Sequence, residues 1–225
     1  MEILYEDNHL IAVNKPVGML VQGDASGDKP LIDEVGEYLK EKYKKPGEVF
    51  TGLVHRIDRP VSGVVLIART SKALVRMNEL LQKREMKREY WAIVKKRPEE
   101  LKGELKHYLR KDEKKNKSFV ATTTKNNSKL AVLQYEVIGG SSSYYLLKVN
   151  LETGRHHQIR CQLAANGTPI RGDLKYGFDR SNKGGGINLH AKSLEFIHPV
   201  KKEPIRIEAP LPTNDNLWNQ FEQLS

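Results

Sequence analysis

This chain of 225 residues lacks several common features, and each absence excludes a class of protein. Cys161 is the single cysteine, so no internal disulfide can form, which agrees with a reducing compartment. No apolar run approaches the roughly 20 residues that a membrane-spanning helix needs. The residues from Met1 to Glu6 lack the basic and then apolar pattern of a secretory signal. We therefore predict a cytoplasmic protein that has no membrane partner.

The chain also lacks the short motifs that bind metal ions and nucleotides. It contains no His-Glu-x-x-His or Cys-x-x-Cys sequence, and Gly184-Gly185-Gly186 is not followed by the Lys-Ser/Thr of a phosphate-binding loop. His156, His157 and His190 could converge on a metal, but adjacent helical residues point about 100° apart. The segment from His55 to Asp58 has one residue too many for a kinase catalytic loop. We predict that the protein binds no metal and needs no cofactor.

Positive charge is the strongest feature of the composition. The formal net charge is +10, and the isoelectric point is about 9.5. Such an excess attracts polyanions, although a basic surface can also serve solubility alone. The charge by itself therefore leaves nucleic-acid binding open. Within the polar stretch 106–129, the segment Arg110–Lys117 is either a loop that contacts phosphate or a solvated loop, and we predict the solvated loop.

Strands outnumber helices in the secondary structure that the sequence predicts, and several strands are joined as hairpins. The predicted strands are 2–5, 9–14, 63–68, 89–94, 130–138 and 144–152. The predicted helices are 30–43, one that follows the cap Thr70-Ser71, 155–165 and 214–224. Asp28 and Thr153 are the expected N-caps of the first and third helices, and Gly167 ends the third. This pattern predicts one α+β domain over residues 1–225, with a mixed, mainly antiparallel sheet flanked by helices.

Two clusters of polar residues are candidates for a catalytic or binding site. In the first, His55, Arg56 and Asp58 precede a turn that leads into the buried strand at Gly63. Asp58 is either an ion-paired turn residue or a functional carboxylate, and local spacing alone favours the ion-paired turn residue.

The second cluster runs from Thr153 to Arg160, where arginines, histidines and a glutamine crowd one helical turn. An arginine on the inner face of a helix needs an anionic partner, which could be a carboxylate or an RNA phosphate. The alternative is a surface helix with a basic first turn, although the helix dipole makes that end positive already. We expect Asp173 and Tyr176 to fix a loop and to take no part in chemistry.

Taken together and in order, these segments resemble the RluA family of pseudouridine synthases, and the resemblance covers nearly the whole chain. The matching segments are Glu2–Asp7 with Asn14–Gly18, His55–Asp58 with Ser62–Leu66, Lys87–Ala92, Gly154–Arg160, Gly172–Gly177 and Leu189–Ala191. The resemblance implies the pseudouridine synthase fold and an enzyme that isomerises uridine in RNA to pseudouridine. It also implies a stem-loop of ribosomal or transfer RNA as the partner, and we expect a monomer without a separate RNA-binding domain.

The resemblance also implies roles for individual residues. Asp58 would be the essential carboxylate, Arg160 would pair with it, and Tyr90 would stack against or hydrogen-bond the target base. Arg56 would hold the base out of its helix, and Leu189 would line the pocket. The further candidates for substrate binding are His55, Arg155 and Gln158.

The reaction explains why a carboxylate and an arginine are needed. Breaking the N1–C1′ bond of uridine develops positive charge on the sugar, and a carboxylate can attack C1′, stabilise that charge or remove a sugar proton. Burial would raise the pKa of such a carboxyl group, and a close arginine would lower it again. Two alternatives remain: an RNA-binding protein that has lost catalysis, and another nucleoside-processing enzyme such as a glycosidase. A zinc deaminase is disfavoured by the single cysteine.

Overall fold

The structure is a computed structural model that describes residues 1–122, 127–213 and 215–222. Its backbone contacts divide the chain into two compact units. The first unit comprises Met1–Lys87 and Ala191–Pro210. The second comprises Arg88–His190 and the described part of Leu211–Ser225. The single catalytic domain that the sequence analysis assigns to residues 1–225 stays a prediction.

The described residues form the α+β fold with a mainly antiparallel sheet that the sequence predicts. The strands are β1 (Glu2–Glu6), β2 (Leu10–Lys15), β3 (Gly52–Leu53), β4 (Ser62–Ala68), β5 (Lys87–Val94), β6 (Lys102–Asp112), β7 (Lys117–Val120), β8 (Lys129–Gly140), β9 (Tyr145–Leu151), β10 (Leu189–Ile197) and β11 (Pro204–Glu208). The helices are α1 (Leu31–Lys42), α2 (Ser71–Gln82), α3 (Gln158–Ala165) and α4 (Asn216–Asn219), and Leu174–Tyr176 forms a single 3₁₀ turn.

In the first unit the strands follow the order β1-β2-β4-β10, with β3 also paired to β4 and β11 to β10. Every residue of β4 is buried, as its continuous apolar sequence predicts. Thr70 caps α2 as expected, because its side chain accepts a hydrogen bond from the backbone N–H of Ala73 at 3.1 Å. Met77 of α2 packs with Leu66 of β4 in the core of this unit. The buried strand and the helix that follows it are therefore confirmed.

In the second unit the strands follow the order β5-β9-β8-β6-β7. The two faces of β5 have different surroundings, because side chains alternate along a strand. Trp91 and Ile93 pack with Leu146 and with Trp218 of α4 in one apolar cluster. Tyr90 and Ala92 alternate with Trp91 and Ile93 along the strand and lie on its opposite face. The predicted hairpin of β8 and β9 is confirmed by their antiparallel pairing.

Two predicted helix caps are wrong. Helix α1 begins after Pro30, whose fixed geometry suits a helix start, and no side chain caps it. Asp28 instead lies 2.7 Å from the guanidinium of Arg59. Helix α3 begins at Gln158 and not at 155, because His157 has a left-handed backbone with φ of 51° and the residues before it form a turn.

The segment Arg110–Lys117, predicted as a solvated loop, is only partly loop, because Arg110–Asp112 belong to β6 and Lys117 begins β7. Residues of β6 and β7 pair antiparallel from Leu109↔Val120 to Asp112↔Lys117, which leaves 113–116 as the turn. Leu105 and Leu109 are buried, whereas the polar residues between them are mostly exposed, so polar side chains cover the open face of an edge hairpin. Residues 123–126 lie outside the described residues. Of the predicted last helix, 214–224, residues 216–219 form α4, and residues 214, 223 and 224 lie outside the described residues.

The described residues show no membrane-spanning helix and no metal-binding cluster. No helix in the ranges that the structure describes is long and apolar enough to span a membrane. No group of three or more histidine, cysteine, aspartate or glutamate side chains within those same ranges could hold a metal ion.

Candidate functional site

The segment that carries Asp58 is an irregular turn between β3 and β4. Asp58 is partly buried, and its carbonyl oxygen accepts a hydrogen bond from the backbone N–H of Val61 at 3.0 Å. Arg56 is exposed. The Nε2 atom of His55 accepts a hydrogen bond from the backbone N–H of Leu66 in β4 at 3.2 Å. His55 therefore ties the start of the turn to the buried strand, and its predicted substrate contact stays a prediction.

Lys15 ties the same turn to the end of β2. Its side chain is fully buried, and Nζ donates to the carbonyl oxygens of Pro16 at 2.8 Å, Met19 at 2.8 Å and Arg59 at 3.2 Å. The carbonyl oxygen of Arg59 also accepts from the backbone N–H of Gly18 at 2.9 Å. The residue directly after Asp58 is thus held by a buried ammonium group and by a backbone hydrogen bond.

Lys15 also contributes a positive charge close to Asp58. Burial lowers the pKa of Lys15 to about 7, the negative charge of Asp58 opposes this shift, and Arg59 adds to it. The three carbonyl acceptors favour the protonated form at neutral pH. Lys15 does not belong to any of the polar clusters that the sequence indicates. Its position two residues after the buried Val13, on the same face of β2, is the signal that could have indicated burial.

The exit of the turn is fixed by close backbone packing at Gly63. This residue has a φ of 112°, and a Cβ atom built on it would lie 2.2 Å from the carbonyl oxygen of Ala191 in β10. Only a glycine fits this approach. The turn that contains Asp58 is therefore held at its start by His55, near its middle by Lys15 and at its end by Gly63.

In the second unit, Tyr90 is buried on β5 and pairs with Val149 of β9. Glu89 and Trp91 point to the other face of the strand, where the Trp91 indole N–H donates to Glu89 at 2.9 Å. The alternation places Tyr90 away from the apolar cluster around Trp91. Tyr90 is therefore not one of the aromatic residues that fill that cluster, and its predicted contact with the target base stays a prediction.

Arg160 lies in the first turn of α3 and has a carboxylate partner in its own unit. Its Nε donates to Asp173 Oδ2 at 2.7 Å and its Nη2 to Oδ1 at 2.8 Å, and both residues are buried. This bidentate pair supplies the anionic partner that the sequence analysis required. Asp173 was expected to fix a loop, which agrees with this contact. The pairing of Arg160 with Asp58 that the resemblance implies stays a prediction.

Tyr176 joins three segments of the second unit. Its hydroxyl accepts from the backbone N–H of Ser118 in β7 at 2.9 Å and lies 3.0 Å from His157 Nδ1. The guanidinium of Arg160 lies 5.1 Å from the ring centroid. Burial is the largest of the influences that raise the pKa of Tyr176. The residue therefore remains a neutral phenol that fixes the loop, in agreement with the expectation.

The two polar candidates before Arg160 make backbone contacts. The Gln158 Oε1 accepts from the Thr153 hydroxyl at 2.7 Å and from the backbone N–H of Arg155 at 3.0 Å, and Nε2 donates to the Val132 carbonyl at 3.1 Å. Arg155 Nε donates to the Leu130 carbonyl at 2.9 Å. Leu189 is buried. The predicted substrate contacts of Gln158, Arg155 and Leu189 stay predictions.

Comparisons with known proteins agree with one another. Residues 9–165 match the family model described as RNA pseudouridylate synthase. The chain is 35% identical to the ribosomal large subunit pseudouridine synthase C of Buchnera aphidicola subsp. Acyrthosiphon pisum, over 93% of this chain and 67% of that protein. It is 33% identical to an uncharacterized RNA pseudouridine synthase of Bacillus subtilis, over 94% of this chain and 69% of that protein. The chain spans about two thirds of the length of these curated relatives.

A solved structure shows the same likeness. The human protein RNA Pseudouridylate Synthase Domain Containing 4 is similar with a TM-score of 0.77 and 25% sequence identity. The match covers 94% of this chain and 89% of the human chain.

Proposed function

Because the chain belongs to the RNA pseudouridylate synthase family, whose members are isomerases that convert uridine in RNA to pseudouridine, we propose that it modifies large-subunit ribosomal RNA with Asp58 as the catalytic carboxylate. The name of its relative in Buchnera aphidicola, ribosomal large subunit pseudouridine synthase C, supports this RNA as the substrate. The observation that carries the role of Asp58 is the way its turn is fixed by His55, Lys15 and Gly63. A carboxylate on a rigid support is suited to a reaction that needs one fixed geometry.

Two routes would use the Asp58 carboxylate. In the first, it attacks C1′ of the target uridine, and the electrons of the N1–C1′ bond leave with the uracil. In the second, it removes the C2′ proton while the same bond breaks. In both, the uracil turns and C5 bonds to C1′: in the first route the bond between Asp58 and C1′ breaks at this step and frees the carboxylate, and in the second C2′ takes its proton back from Asp58. C5 then loses its own proton to solvent. Release of the C5 hydrogen therefore reports the reaction whichever route is used.

The other candidate residues take supporting roles in this proposal. The ring of Tyr90 stacks on the target base, a contact worth about 1–3 kcal/mol. In this proposal the guanidinium of Arg160 pairs with the Asp58 carboxylate, so its positive charge lies next to the reacting group. Arg56 is exposed, and its flat guanidinium can stack on bases and bind phosphate while the target nucleotide is out of its helix.

The test is tritium release from large-subunit ribosomal RNA transcribed in vitro with uridine that carries tritium at C5. We compare the wild type with Asp58→Asn and with Asp33→Asn, a control at an exposed position of α1. We expect release by the wild type and the control, and background release by Asp58→Asn. Equal release by Asp58→Asn would remove Asp58 from its role. Release from transfer RNA alone would overturn the ribosomal substrate, and release from neither RNA would overturn the activity.

A further inference from the structure

Arg88 lies in the second unit, two residues before Tyr90 on β5. Residues two apart on a strand point to the same face, so the guanidinium of Arg88 and the ring of Tyr90 share one side of β5. Arg88 is partly buried. None of the roles assigned above uses this arginine.

Arg88 has no partner for its charge among the residues that the structure describes. Within residues 1–122, 127–213 and 215–222, its guanidinium makes no hydrogen bond and no ion pair, and its Nε is buried without an acceptor. The adjacent carboxylate of Glu89 is engaged on the other face of the strand, where it accepts from Trp91 at 2.9 Å and lies 3.2 Å from Lys148 Nζ. A buried guanidinium nitrogen usually has a carboxylate or carbonyl oxygen as its acceptor, so the buried Nε of Arg88 departs from the rule.

Space for the guanidinium is made by a glycine. A Cβ atom built on Gly154 would lie 2.6 Å from Arg88 Nη1, so the arginine lies directly against the main chain of Gly154. The turn that holds Gly154 is fixed by the hydrogen bonds from Thr153 and Arg155 to Gln158. The guanidinium is thus placed next to the segment that leads to Arg160.

This placement is unfavourable in the free protein. Burial lowers the pKa of Arg88, and the nearby Tyr90 phenol opposes the shift, but an arginine stays protonated at neutral pH in any case. A charge that has lost part of its hydration and found no acceptor costs free energy, and an anion would recover that free energy.

We propose that Arg88 binds a phosphodiester group of the substrate RNA, next to the nucleotide that Tyr90 contacts. The inference rests on the proposed function. A phosphodiester is the expected ligand because it is the negatively charged group of RNA. Its oxygens also match the planar fork of a guanidinium. On binding, the phosphate oxygens accept the hydrogen bonds that Arg88 does not make in the free protein.

The experiment measures RNA binding and thermal unfolding on the same variants of the full chain. Arg88→Met keeps the apolar stem and removes the charge, whereas Arg88→Lys keeps the charge. Arg76→Met is the matched control, because it removes one positive charge from an exposed position of α2. The probe is the large-subunit ribosomal RNA transcript, titrated at several salt concentrations below the unfolding temperature of every variant.

We expect Arg88→Met to bind the transcript about tenfold more weakly or worse. Its plot of log affinity against log salt should be shallower than that of the wild type by about 0.7 to 0.9, which corresponds to one lost phosphate contact. Arg76→Met and Arg88→Lys should keep the slope of the wild type. The unfolding temperature of Arg88→Met should not fall below that of the wild type, because the variant removes an uncompensated charge.

Three results would overturn the inference. The first is an unchanged affinity and salt slope for Arg88→Met. The second is a lower unfolding temperature with unchanged affinity, which would make Arg88 a packing residue. The third combines two observations: inorganic phosphate alone stabilises the wild type, and the salt slope for RNA binding is the same for Arg88→Met as for the wild type. This result would indicate a site for free anions. Tritium release by the wild type separates this inference from the proposed function, because it tests the activity without reference to Arg88.

Discussion

At the scale of single residues, Arg160 and Asp173 form a buried, bidentate ion pair in the second unit. Both side chains are almost fully buried, and two parallel hydrogen bonds join them. Such a pair contributes little net stability compared with apolar residues of the same size, but removing one partner leaves a buried charge without compensation. The pair therefore affects the free energy of unfolding mainly when one of its two partners is removed.

We predict that Asp173→Asn lowers the free energy of unfolding by about 3–5 kcal/mol, as measured by urea denaturation. The control is Glu136→Gln, which breaks an exposed contact of 2.7 Å with Lys102 and should cost less than about 1 kcal/mol. Similar losses for the two variants would mean that Asp173 is not the main partner of Arg160.

The sequence indicates candidate functional residues, but it does not indicate their partners. The order of the motifs drew attention to Asp58, Tyr90 and Arg160. The carbonyl cage around Lys15 and the carboxylate that holds Arg160 depend on which segments meet in space, and local spacing carries no such information. The arginine without a partner, Arg88, is likewise visible only when the surroundings of β5 are known.

At the scale of elements, the turn that contains Asp58 can lead into β4 only because Gly63 has no side chain. Gly63 has a backbone conformation that L residues rarely adopt, and its Cα lies against the backbone of β10. A methyl group at this position would meet a carbonyl oxygen and not the flexible end of a side chain. The backbone would therefore have to move.

We predict that Gly63→Ala lowers the free energy of unfolding by about 3 kcal/mol or more, because it combines strain at positive φ with a backbone clash. The measurement is urea denaturation followed by circular dichroism. Gly47→Ala is the matched control, since a Cβ there would meet nothing within 4 Å. Equal stability of the two variants would show that the start of β4 is free to shift.

The turn between β1 and β2 is held by one carboxylate, that of Asp7. Its Oδ1 accepts from the backbone N–H groups of His9 at 2.8 Å and Leu10 at 2.9 Å. Its Oδ2 lies 2.9 Å from Lys201 Nζ and 3.0 Å from His198 Nε2. Burial alone would raise the pKa of the Asp7 carboxyl, but these hydrogen bonds outweigh burial and hold the pKa well below its usual range.

The sign of the resulting pH dependence follows from this depressed pKa. The folded protein binds the Asp7 proton less readily than the unfolded chain, so the stabilisation is present above the unfolded value of about 4 and is lost as the pH falls below it. We predict that Asp7→Asn is less stable than the wild type at pH 7 and that the difference shrinks as the pH falls below about 4. Thermal unfolding across this range measures it. A difference that stays constant with pH would contradict the prediction.

Regular elements were predictable from the sequence to different degrees. The apolar run of β4 and the Thr70 cap of α2 are local signals, and the structure bears them out. The first turn of α3 and the polar strand β6 were not predictable. The left-handed backbone of His157 delays the helix, and β6 is stabilised by pairing with β7 and β8, which outweighs its polar sequence.

At the scale of the whole molecule, the fold class and the family could be predicted because the motifs occur in one order along nearly all of the chain. Composition contributed less, since a net charge of +10 indicates an affinity for polyanions but specifies no reaction. The structure adds the supports on which the proposed chemistry depends, above all the fixed turn of Asp58. The cytoplasmic location and the monomeric state stay predictions.

The most direct test of the central claim follows the uracil ring itself. Large-subunit ribosomal RNA labelled with carbon-14 in the uracil ring is incubated with the protein and with no added cofactor, then digested to nucleosides and separated by chromatography. We predict that the wild type moves label from uridine to pseudouridine and that Asp58→Asn leaves all of it in uridine. Label released as free uracil, or pseudouridine formed by Asp58→Asn, would contradict the account.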